Sequence, residues 1–331
     1  MSKLICLGIE STAHTFGVGI VDSEGNVLFN DKSTYKSPAG MGIIPSDAAK
    51  HHLDVCEKVL NSVLEKSHIN FDKIDLIAYS AGPGLAPCLL AGAEFANKLS
   101  KKYKKPLVAV NHCIAHIEIG KLTAGSKDPV VLYLSGGNTQ IIAFTEGRYR
   151  IFGETQDIPV GNAMDTLARK IGLFQPYGPN FDLAASKGKY VEMQYVVKGM
   201  DLSFSGMLTE AIKKFENGIK KEDICYSFQE TSFAMITEVT ERALAHTGKT
   251  EVLMVGGVAA SKRIQEMIRI MCEERGAKTY VVPNEYAGDN GSMIAWTGLL
   301  IYNSKYEKMK DKINPRWRTD AVDIPWLKQE L

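Results

Sequence analysis

The chain has 331 residues, of which 45% are hydrophobic and 23% are charged, and its formal net charge at pH 7 is +1. Such a length exceeds what a single hydrophobic core usually holds, so we expect two lobes. The near-neutral charge excludes a general electrostatic attraction to nucleic acid or to acidic membranes. The six cysteines form no CxxC pair, and no apolar run approaches the roughly 18 residues of a membrane span. We therefore predict a cytoplasmic α/β protein with reduced thiols and no membrane association.

The first part of the chain alternates short apolar runs with helical patterns. Strands are predicted at residues 4–9, 16–21, 74–79 and 107–110, and helices at residues 46–66 and 85–103. Ser46 is the predicted cap of the first helix, and the apolar stripe of that helix consists of Ala49, Leu53, Cys56, Leu60 and Leu64. Alternating strands and helices indicate a twisted sheet with helices on its faces.

The same pattern starts again after a polar stretch near residues 123–128. Strands are predicted at residues 130–134, 140–144, 251–255 and 279–282, and helices at 161–172, 205–217, 222–246, 258–275 and 290–302. Because both parts open with a strand, a turn and a strand, the sequence predicts a duplicated, two-lobed α/β fold with a cleft between the lobes. We assign residues 1–125 to an N-terminal lobe and residues 126–331 to a C-terminal lobe, with a last helix that could return to the first lobe.

Two histidines spaced four residues apart follow the predicted strand at residues 107–110. His112 and His116 share one face of a helix, where both imidazoles can hold one cation, and Asp289 offers a carboxylate just before the last apolar helix. Two histidines and a carboxylate form an open metal site, although paired histidines also occur on solvated or core faces. Cys113 stands where a His-Glu-x-x-His metalloprotease has its glutamate, so peptide hydrolysis lacks its general base.

A glycine-containing turn lies between the predicted strands at residues 130–134 and 140–144. It runs from Ser135 through Gly136 and Gly137 to Thr139. Two adjacent glycines let backbone N–H groups approach phosphate oxygens closely, so this turn is a candidate phosphate-binding site. An ordinary hairpin turn has the same pattern.

Three residues near the starts of predicted helices are further candidates for substrate contacts. Asp165 stands one helical turn after a glycine and could bond a ribose hydroxyl, while Gly178 and Asp182 stand at the beginning of another helix. A solvated surface carboxylate or a first-turn charge explains either aspartate equally well.

Six segments carry a resemblance to a known family: residues 111–120, 133–140, 153–157, 198–205, 226–230 and 255–260. They resemble the archaeal and eukaryotic catalytic subunit of the KEOPS complex, which is a tRNA N6-adenosine threonylcarbamoyltransferase. The resemblance extends from residue 4 to about residue 323. It implies the actin-like ATPase fold shared with sugar kinases and Hsp70-type chaperones, in agreement with the duplicated pattern.

The resemblance also implies roles for particular residues. The family's metal ligands fall on His112, His116 and Asp289, with Tyr133 as a fourth contact, and the metal would be one iron or zinc ion per subunit. Its threonylcarbamoyl-adenylate contacts fall on Tyr133, Leu134, Ser135, Gly136, Gly137, Asp165, Gly178 and Asp182, with Ser261 on the adenine side. Ser261 stands where the family usually has asparagine, and Asp182 where it commonly has glutamate. No residue is assigned as general base.

The expected activity is transfer of threonylcarbamoyl from its adenylate to N6 of the adenosine 3′-adjacent to the tRNA anticodon. The resemblance implies tRNA and three protein partners: a small atypical protein kinase, a dimerising subunit and a tRNA-docking subunit. Two alternatives stay open from the residues alone. One is a small-molecule kinase on the same fold, which needs a catalytic aspartate and Mg²⁺ but no histidine pair, and the other is a non-catalytic nucleotide-switch subunit.

Overall fold

The computed structural model describes residues 3–38, 42–175, 177–304 and 312–330, with the backbone alone for 328–330. Its strands are β1 (Ile5–Glu10), β2 (Thr15–Asp22), β3 (Val27–Thr34), β4 (Leu76–Gly82), β5 (Leu107–Asn111), β6 (Val130–Leu134), β7 (Thr139–Thr145), β8 (Arg148–Glu154), β9 (Val197–Lys198), β10 (Asp201–Leu202), β11 (Glu251–Val255) and β12 (Lys278–Val281). Its helices are α1 (Pro45–Ser67), α2 (Ala86–Tyr103), α3 (His112–Ala124), α4 (Val160–Lys170), α5 (Tyr177–Ala185), α6 (Ser205–Glu216), α7 (Lys221–Thr247), α8 (Lys262–Glu274), α9 (Asn284–Ala287) and α10 (Gly291–Asn303).

The chain divides into two compact units. The first unit contains Met1–Thr123, Glu146–Tyr149 and Gly288–Leu331, and the second contains Ala124–Thr145 and Arg150–Ala287. The first unit therefore includes α10, which follows the second unit in the sequence. In the described part of the chain, no helix is both long enough and apolar enough to cross a membrane.

The sheet of the first unit has the strand order β3-β2-β1-β4-β5. β1 pairs with β2 in antiparallel register, from Ile5 opposite Asp22 to Glu10 opposite Gly17. On its other side β1 runs parallel to β4, and β4 runs parallel to β5. The parallel strands β1 and β5 therefore end at the same edge of the sheet, where Glu10 and Asn111 are their last residues.

The second five-stranded sheet repeats this topology. Its strand order is β12-β11-β6-β7-β8, in which β6 is antiparallel to β7 and parallel to β11, and β11 is parallel to β12. In the reverse order, β8-β7-β6-β11-β12, it matches the first sheet: three strands that follow one another in the chain are succeeded by two parallel strands. The predicted duplication of an α/β fold is confirmed.

The buried face of α1 differs from the predicted stripe. The helix buries Ala48, His52, Cys56, Val59, Leu60 and Val63, whereas Leu53 is 55% exposed. The prediction followed the leucines, and tertiary packing instead buries a face that includes a histidine. The predicted cap is also wrong, because the helix begins at Pro45 and its N-cap residue is Ile44.

The sequence did not predict four strands, of which β9 and β10 have only two residues each, and it did not predict a break in one helix. β3 and β8 carry alternating exposed and partly buried residues with few strongly apolar positions, which is a weak strand signal. The predicted helix at residues 258–275 is interrupted, since Gly257–Ala260 forms a 3₁₀ turn and α8 begins at Lys262. Ser261 lies between the two in extended conformation, with φ −63° and ψ 125°.

Candidate functional site

The first unit brings the predicted metal ligands together. His112, His116 and Asp289 each offer one ligand atom, and the three atoms lie within 4.8 Å of one another. Nε2 of His112 and Nε2 of His116 lie 3.6 and 3.3 Å from Oδ1 of Asp289. The two imidazole rings are nearly perpendicular, with centroids 4.7 Å apart. Both histidines are buried.

The histidine helix α3 begins directly at the end of β5 because Asn111 caps it. The side-chain oxygen of Asn111 accepts hydrogen bonds from the backbone N–H groups of Cys113 and Ile114, at 3.0 and 3.1 Å. Its side-chain amide donates to the carbonyl oxygen of Trp317 at 3.1 Å. The asparagine is buried, so the cap fixes the first turn of α3 and with it the direction of His112.

Asp289 is positioned by the close approach of α10 to β1 and β2. A Cβ atom on Gly291 would lie 2.1 Å from the backbone nitrogen of Gly19 and 2.3 Å from the carbonyl carbon of Val18, so only glycine fits there. The backbone N–H of Gly291 also donates to the side-chain oxygen of Asn30 at 3.1 Å. Asn290 caps the helix by accepting from Met293 N–H at 3.0 Å. These contacts hold Asp289, two residues before the helix, at a fixed position beside the histidines.

Glu10 orients His112 from the opposite side. Oε2 of Glu10 lies 3.0 Å from Nδ1 of His112, and because a carboxylate only accepts, Nδ1 carries the hydrogen. The other oxygen of Glu10 accepts from the backbone N–H of Thr12 at 2.7 Å and from its hydroxyl at 2.5 Å. Nε2 of His112 is thereby left on the side of Asp289. A carboxylate behind a histidine is the usual way in which proteins orient a metal ligand.

The charges of this group favour a cation. Burial alone would lower the pKa of His112, but Glu10 and Asp289 outweigh burial and raise the pKa to about 9. Burial lowers the pKa of His116, so its imidazole is neutral at pH 7. Burial by itself would raise the pKa of Asp289, yet the hydrogen bond from His116 and the charge of His112 lower it well below its usual value. Glu10 and Asp289 thus lie beside the two nitrogens of one imidazole, and a divalent ion at Nε2 would replace the proton that faces Asp289, while Nδ1–H keeps its hydrogen bond to Glu10.

The second unit contains the glycine turn as predicted, between β6 and β7. The backbone N–H of Ser135 donates to the carbonyl oxygen of Asn138 at 2.8 Å. The hydroxyl oxygen of Ser135 accepts from the N–H groups of Gly137 and Asn138, at 3.2 and 3.0 Å. Three of the amides expected to face a phosphate therefore bond within the turn, whereas the N–H of Gly136 makes no hydrogen bond to the described residues.

Five glycines of the second unit that flank the predicted substrate contacts differ in what surrounds them. A Cβ on Gly256 would meet the carbonyl oxygen of Leu134 at 2.3 Å, and one on Gly161 would meet that of Ser135 at 2.7 Å, so packing requires glycine at both positions. At Gly136, Gly137 and Gly178 a Cβ would meet nothing within 4 Å, and none of the three has a positive φ. Neither packing among the described residues nor backbone conformation explains those three glycines.

The remaining predicted substrate contacts also belong to the second unit. Tyr133 and Leu134 are the last two residues of β6, and both are buried. Asp165 lies on α4, whose first residue, Val160, donates its N–H to the hydroxyl of Thr139 at 2.9 Å. This bond fastens the start of α4 to the strand that follows the turn. The role of Tyr133 as a fourth metal contact stays a prediction.

Asp182 and Ser261 are brought into direct contact, with a third residue that the sequence did not indicate. Gly178 and Asp182 lie on α5. One oxygen of Asp182, Oδ1, accepts from the Ser261 hydroxyl at 3.3 Å and from the side-chain amide of Gln229 at 2.6 Å. Burial raises the pKa of the Asp182 carboxyl, and these two hydrogen bonds oppose the shift.

Four residues of these clusters were missed by the sequence analysis: Glu10, Thr12, Asn111 and Gln229. Glu10 did carry a signal, since it is a carboxylate at the end of an otherwise apolar strand. Gln229 lies within one of the six segments of the family resemblance, but nothing in its position along the long helix α7 indicates a role.

Solved structures define the class of fold. HypF from T. kodakarensis superimposes with a TM-score of 0.66 at 15% identity, covering 94% of this chain and 49% of that one. Component A of the Acidaminococcus fermentans (R)-2-hydroxyglutaryl-CoA dehydratase superimposes with a TM-score of 0.54 at 12% identity, covering 90% and 97%. The protein therefore has the actin-like ATPase fold, and it carries a candidate metal centre of two histidines and one aspartate.

Sequence relatives define the family. The family model described as TsaD, tRNA N6-adenosine threonylcarbamoyltransferase, matches residues 25–296. A protein of that name from Methanopyrus kandleri is 49% identical over 334 aligned positions, covering 98% of this chain and 96% of the relative. Another from Thermofilum pendens is 51% identical and covers 98% of both. The chain belongs to the tRNA N6-adenosine threonylcarbamoyltransferase family and is an enzyme of that family.

Proposed function

We propose that this protein transfers a threonylcarbamoyl group from threonylcarbamoyl-adenylate to N6 of the adenosine 3′-adjacent to the tRNA anticodon. The observation that carries the proposal is membership of the family together with the convergence of His112, His116 and Asp289. A small-molecule kinase, which needs a catalytic aspartate and Mg²⁺, gives no reason for two buried histidines to share one carboxylate. The relatives' names likewise favour transfer to tRNA over a kinase or a nucleotide switch.

The reaction needs positioning more than activation. The amino nitrogen of adenosine attacks the carbamoyl carbonyl carbon, a C–N bond forms, and the bond from that carbon to the phosphate oxygen breaks. AMP leaves and the attacking nitrogen loses one proton. Because the donor is a mixed anhydride, AMP is already a good leaving group, and alignment of the two reactants supplies much of the rate. The acceptor base must be unstacked from the loop, which single-stranded RNA permits.

We assign the metal to His112, His116 and Asp289, with Glu10 orienting His112. The donor set fits the group, because imidazole and carboxylate ligands suit either iron or zinc. When bound, one Fe²⁺ or Zn²⁺ ion would supply Lewis-acid polarisation of a donor oxygen. The protein's own part is to hold the ligands in place through the Asn111 cap and the packing of α10.

The adenylate contacts are proposed for residues of the second unit. The open space at Gly136, Gly137 and Gly178 supports this assignment, since a ligand that approaches the backbone closely would require glycine there. A carboxylate such as Asp182 or Asp165 can accept from ribose hydroxyls. Tyr133, Leu134 and Ser135 complete the proposed set, and Ser261 contributes through Asp182.

We further propose that the protein acts in the cytoplasm with tRNA and with the three KEOPS partner subunits. The helix around residues 48–64 is the candidate docking face, and Leu53 on this helix is 55% exposed. With nearly equal numbers of basic and acidic residues, the isolated chain should bind tRNA weakly and with strong salt sensitivity. Gel-shift titration at two salt concentrations, with and without the partners, tests this expectation.

The proposed activity is tested by mass spectrometry of nucleosides from unmodified tRNA. The tRNA is incubated with the chain, its partner subunits, and chemically prepared threonylcarbamoyl-adenylate. Threonylcarbamoyl-adenosine should form beside the anticodon, and the Asp289→Ala variant should form at least about a hundredfold less. If the native chain yields no modified nucleoside while the partners bind it and the tRNA stays intact, the proposal is wrong.

A further inference from the structure

One residue that contacts Asp182, Gln229, has no part in the function described so far. Gln229 is only 4% exposed, and it lies on α7, which packs against both α5 and α8. Its side-chain amide donates to Oδ1 of Asp182 at 2.6 Å, the shorter of the two hydrogen bonds to that oxygen. Buried glutamine amides are costly to leave unpaired, so this geometry is strongly preferred.

The two oxygens of Asp182 have different surroundings. Oδ1 accepts from both Gln229 and Ser261, whereas Oδ2 makes no hydrogen bond to the described residues. A carboxylate can accept several hydrogen bonds, so Oδ2 keeps its full capacity for a donor from outside the cluster. The carboxylate is thereby held with Oδ1 bonded to the protein and with Oδ2 able to accept a hydrogen bond from a ligand.

The two helices beside Asp182, α7 and α8, are firmly joined to each other. Glu230, the next residue on α7, forms a bidentate pair with Arg263 near the start of α8, at 2.6 and 2.7 Å. Bidentate arginine–carboxylate pairs restrict both side chains. The carbonyl oxygen of Gln229 accepts from the hydroxyl of Ser232 at 3.2 Å. α7 and α8 are therefore joined at the level of the two residues that hold Asp182, which makes the orientation of its carboxylate a property of the folded unit.

We propose that Gln229 is a positioning residue that fixes the Asp182 carboxylate so that Oδ2 accepts a hydroxyl hydrogen bond from the ribose of the adenylate. The inference rests on the proposed function, because Asp182 is a proposed adenylate contact. Gln229 touches Asp182 and not the substrate, and its effect on binding passes through the aspartate alone. The hydroxyl of Ser261 donates to the same oxygen, Oδ1 of Asp182, at 3.3 Å, and it makes a smaller contribution to the orientation of the carboxylate.

The test compares Gln229→Leu with the matched control Gln265→Leu. Gln265 is also a part-buried glutamine whose amide donates one short hydrogen bond, to the carbonyl oxygen of Ala259 at 2.8 Å, but it does not contact Asp182. Calorimetry with a non-hydrolysable threonylcarbamoyl-adenylate analogue should show about tenfold weaker binding for Gln229→Leu, as expected for a lost hydrogen bond to a charged group. Gln265→Leu should bind within about twofold of the native protein.

Two further measurements separate positioning from general loss of structure. In an Asp182→Ala background, Gln229→Leu should weaken binding no further, because its only path of action is gone. A crystal structure of Gln229→Leu should show the Asp182 carboxylate turned away from its present rotamer while Glu230 and Arg263 remain paired. Equal weakening by both glutamine variants, additive losses in the double variant, or an unmoved carboxylate would overturn the inference. If the native protein binds no adenylate analogue, the proposed function itself fails.

Discussion

In the first unit two of the three candidate ligands, His112 and His116, are buried, whereas in the second unit the candidate contacts include the exposed glycines of a turn and the half-buried carboxylate of Asp182. His112 and Asp289 are fixed by Glu10 and by the start of α10. Gly136 and Gly137, by contrast, face open space. A metal ion is small and needs its ligands preset, while an adenylate is large and requires room. The two regions should therefore fail in different ways when they are altered.

The largest effect is expected for Gly291→Ala. The added methyl group would lie about 2 Å from backbone atoms of β2, which cannot move without disturbing the sheet. Overpacking of this kind costs about 1–3 kcal/mol of unfolding free energy, or more where backbone must shift. Because Asp289 lies only two residues before α10, metal content should fall as well. Denaturant unfolding and metal analysis measure both effects.

Gly288→Ala is the matched control for that variant. It stands next to Asp289 on the other side, but its added methyl group would meet only the side-chain nitrogen of Lys32, at 3.6 Å. Its unfolding free energy should stay within about 0.5 kcal/mol of the native value. If the two alanine variants are equally stable, the close approach of α10 to β2 does not position Asp289.

Glu10→Gln is expected to give the next largest effect. The substitution keeps the shape of the side chain but removes the charge behind His112, and loss of such a supporting carboxylate typically lowers metal affinity about 10–100-fold. Competition with a chelator of known affinity measures the change. Glu57→Gln is the control, because the exposed Lys98 is the one ion-pair partner of Glu57 among the described residues. Equal affinities for the two variants would contradict the assigned role of Glu10.

The sequence was most informative where the chemistry resides in side chains close together in the chain. The spacing of His112 and His116, with Asp289 before an apolar helix, was sufficient to predict that these three side chains come together. Glu10 was missed because its contact with His112 depends on β1 and β5 lying in one sheet with parallel ends. Strand order of that kind is decided by long-range pairing, which local periodicity does not reveal.

The errors in secondary structure have similar causes. The stripe predicted on α1 followed Leu53, yet the helix buries His52, whose Nε2 bonds the carbonyl oxygen of Ala13 at 3.0 Å. Burial lowers the pKa of this histidine to about 4, so it packs as a neutral ring. A pattern that counts histidine as polar cannot find such a face. The break in the predicted helix at residues 258–275 was missed as well. The residues before Ser261 form a 3₁₀ turn, and the α-helix begins only after it.

Gly137→Val tests the second region. A branched side chain would fill the open space beside the turn, so binding of the adenylate analogue should weaken at least about tenfold through steric exclusion. The metal content of the same sample is the internal control and should be unchanged, because the ligands belong to the other unit. Unchanged affinity for the analogue would show that the turn is an ordinary hairpin with no role in adenylate binding.

The smallest effect is expected for Ser261→Ala. The variant loses the 3.3 Å hydrogen bond to Asp182 but leaves the 2.6 Å bond from Gln229 in place. A hydrogen bond of this length contributes about 1 kcal/mol or less, so adenylate affinity should change by no more than about fivefold. A loss larger than that of Gln229→Leu would show that Ser261, and not Gln229, fixes the carboxylate.

The metal content of the purified native protein and of the His112→Ala/His116→Ala double variant is the most direct test of the central claim. Inductively coupled plasma mass spectrometry should find about one equivalent of iron or zinc in the native protein, as expected for one three-ligand site. The double variant should carry almost none while its circular dichroism spectrum stays native. Full metal occupancy in the folded double variant would contradict the account.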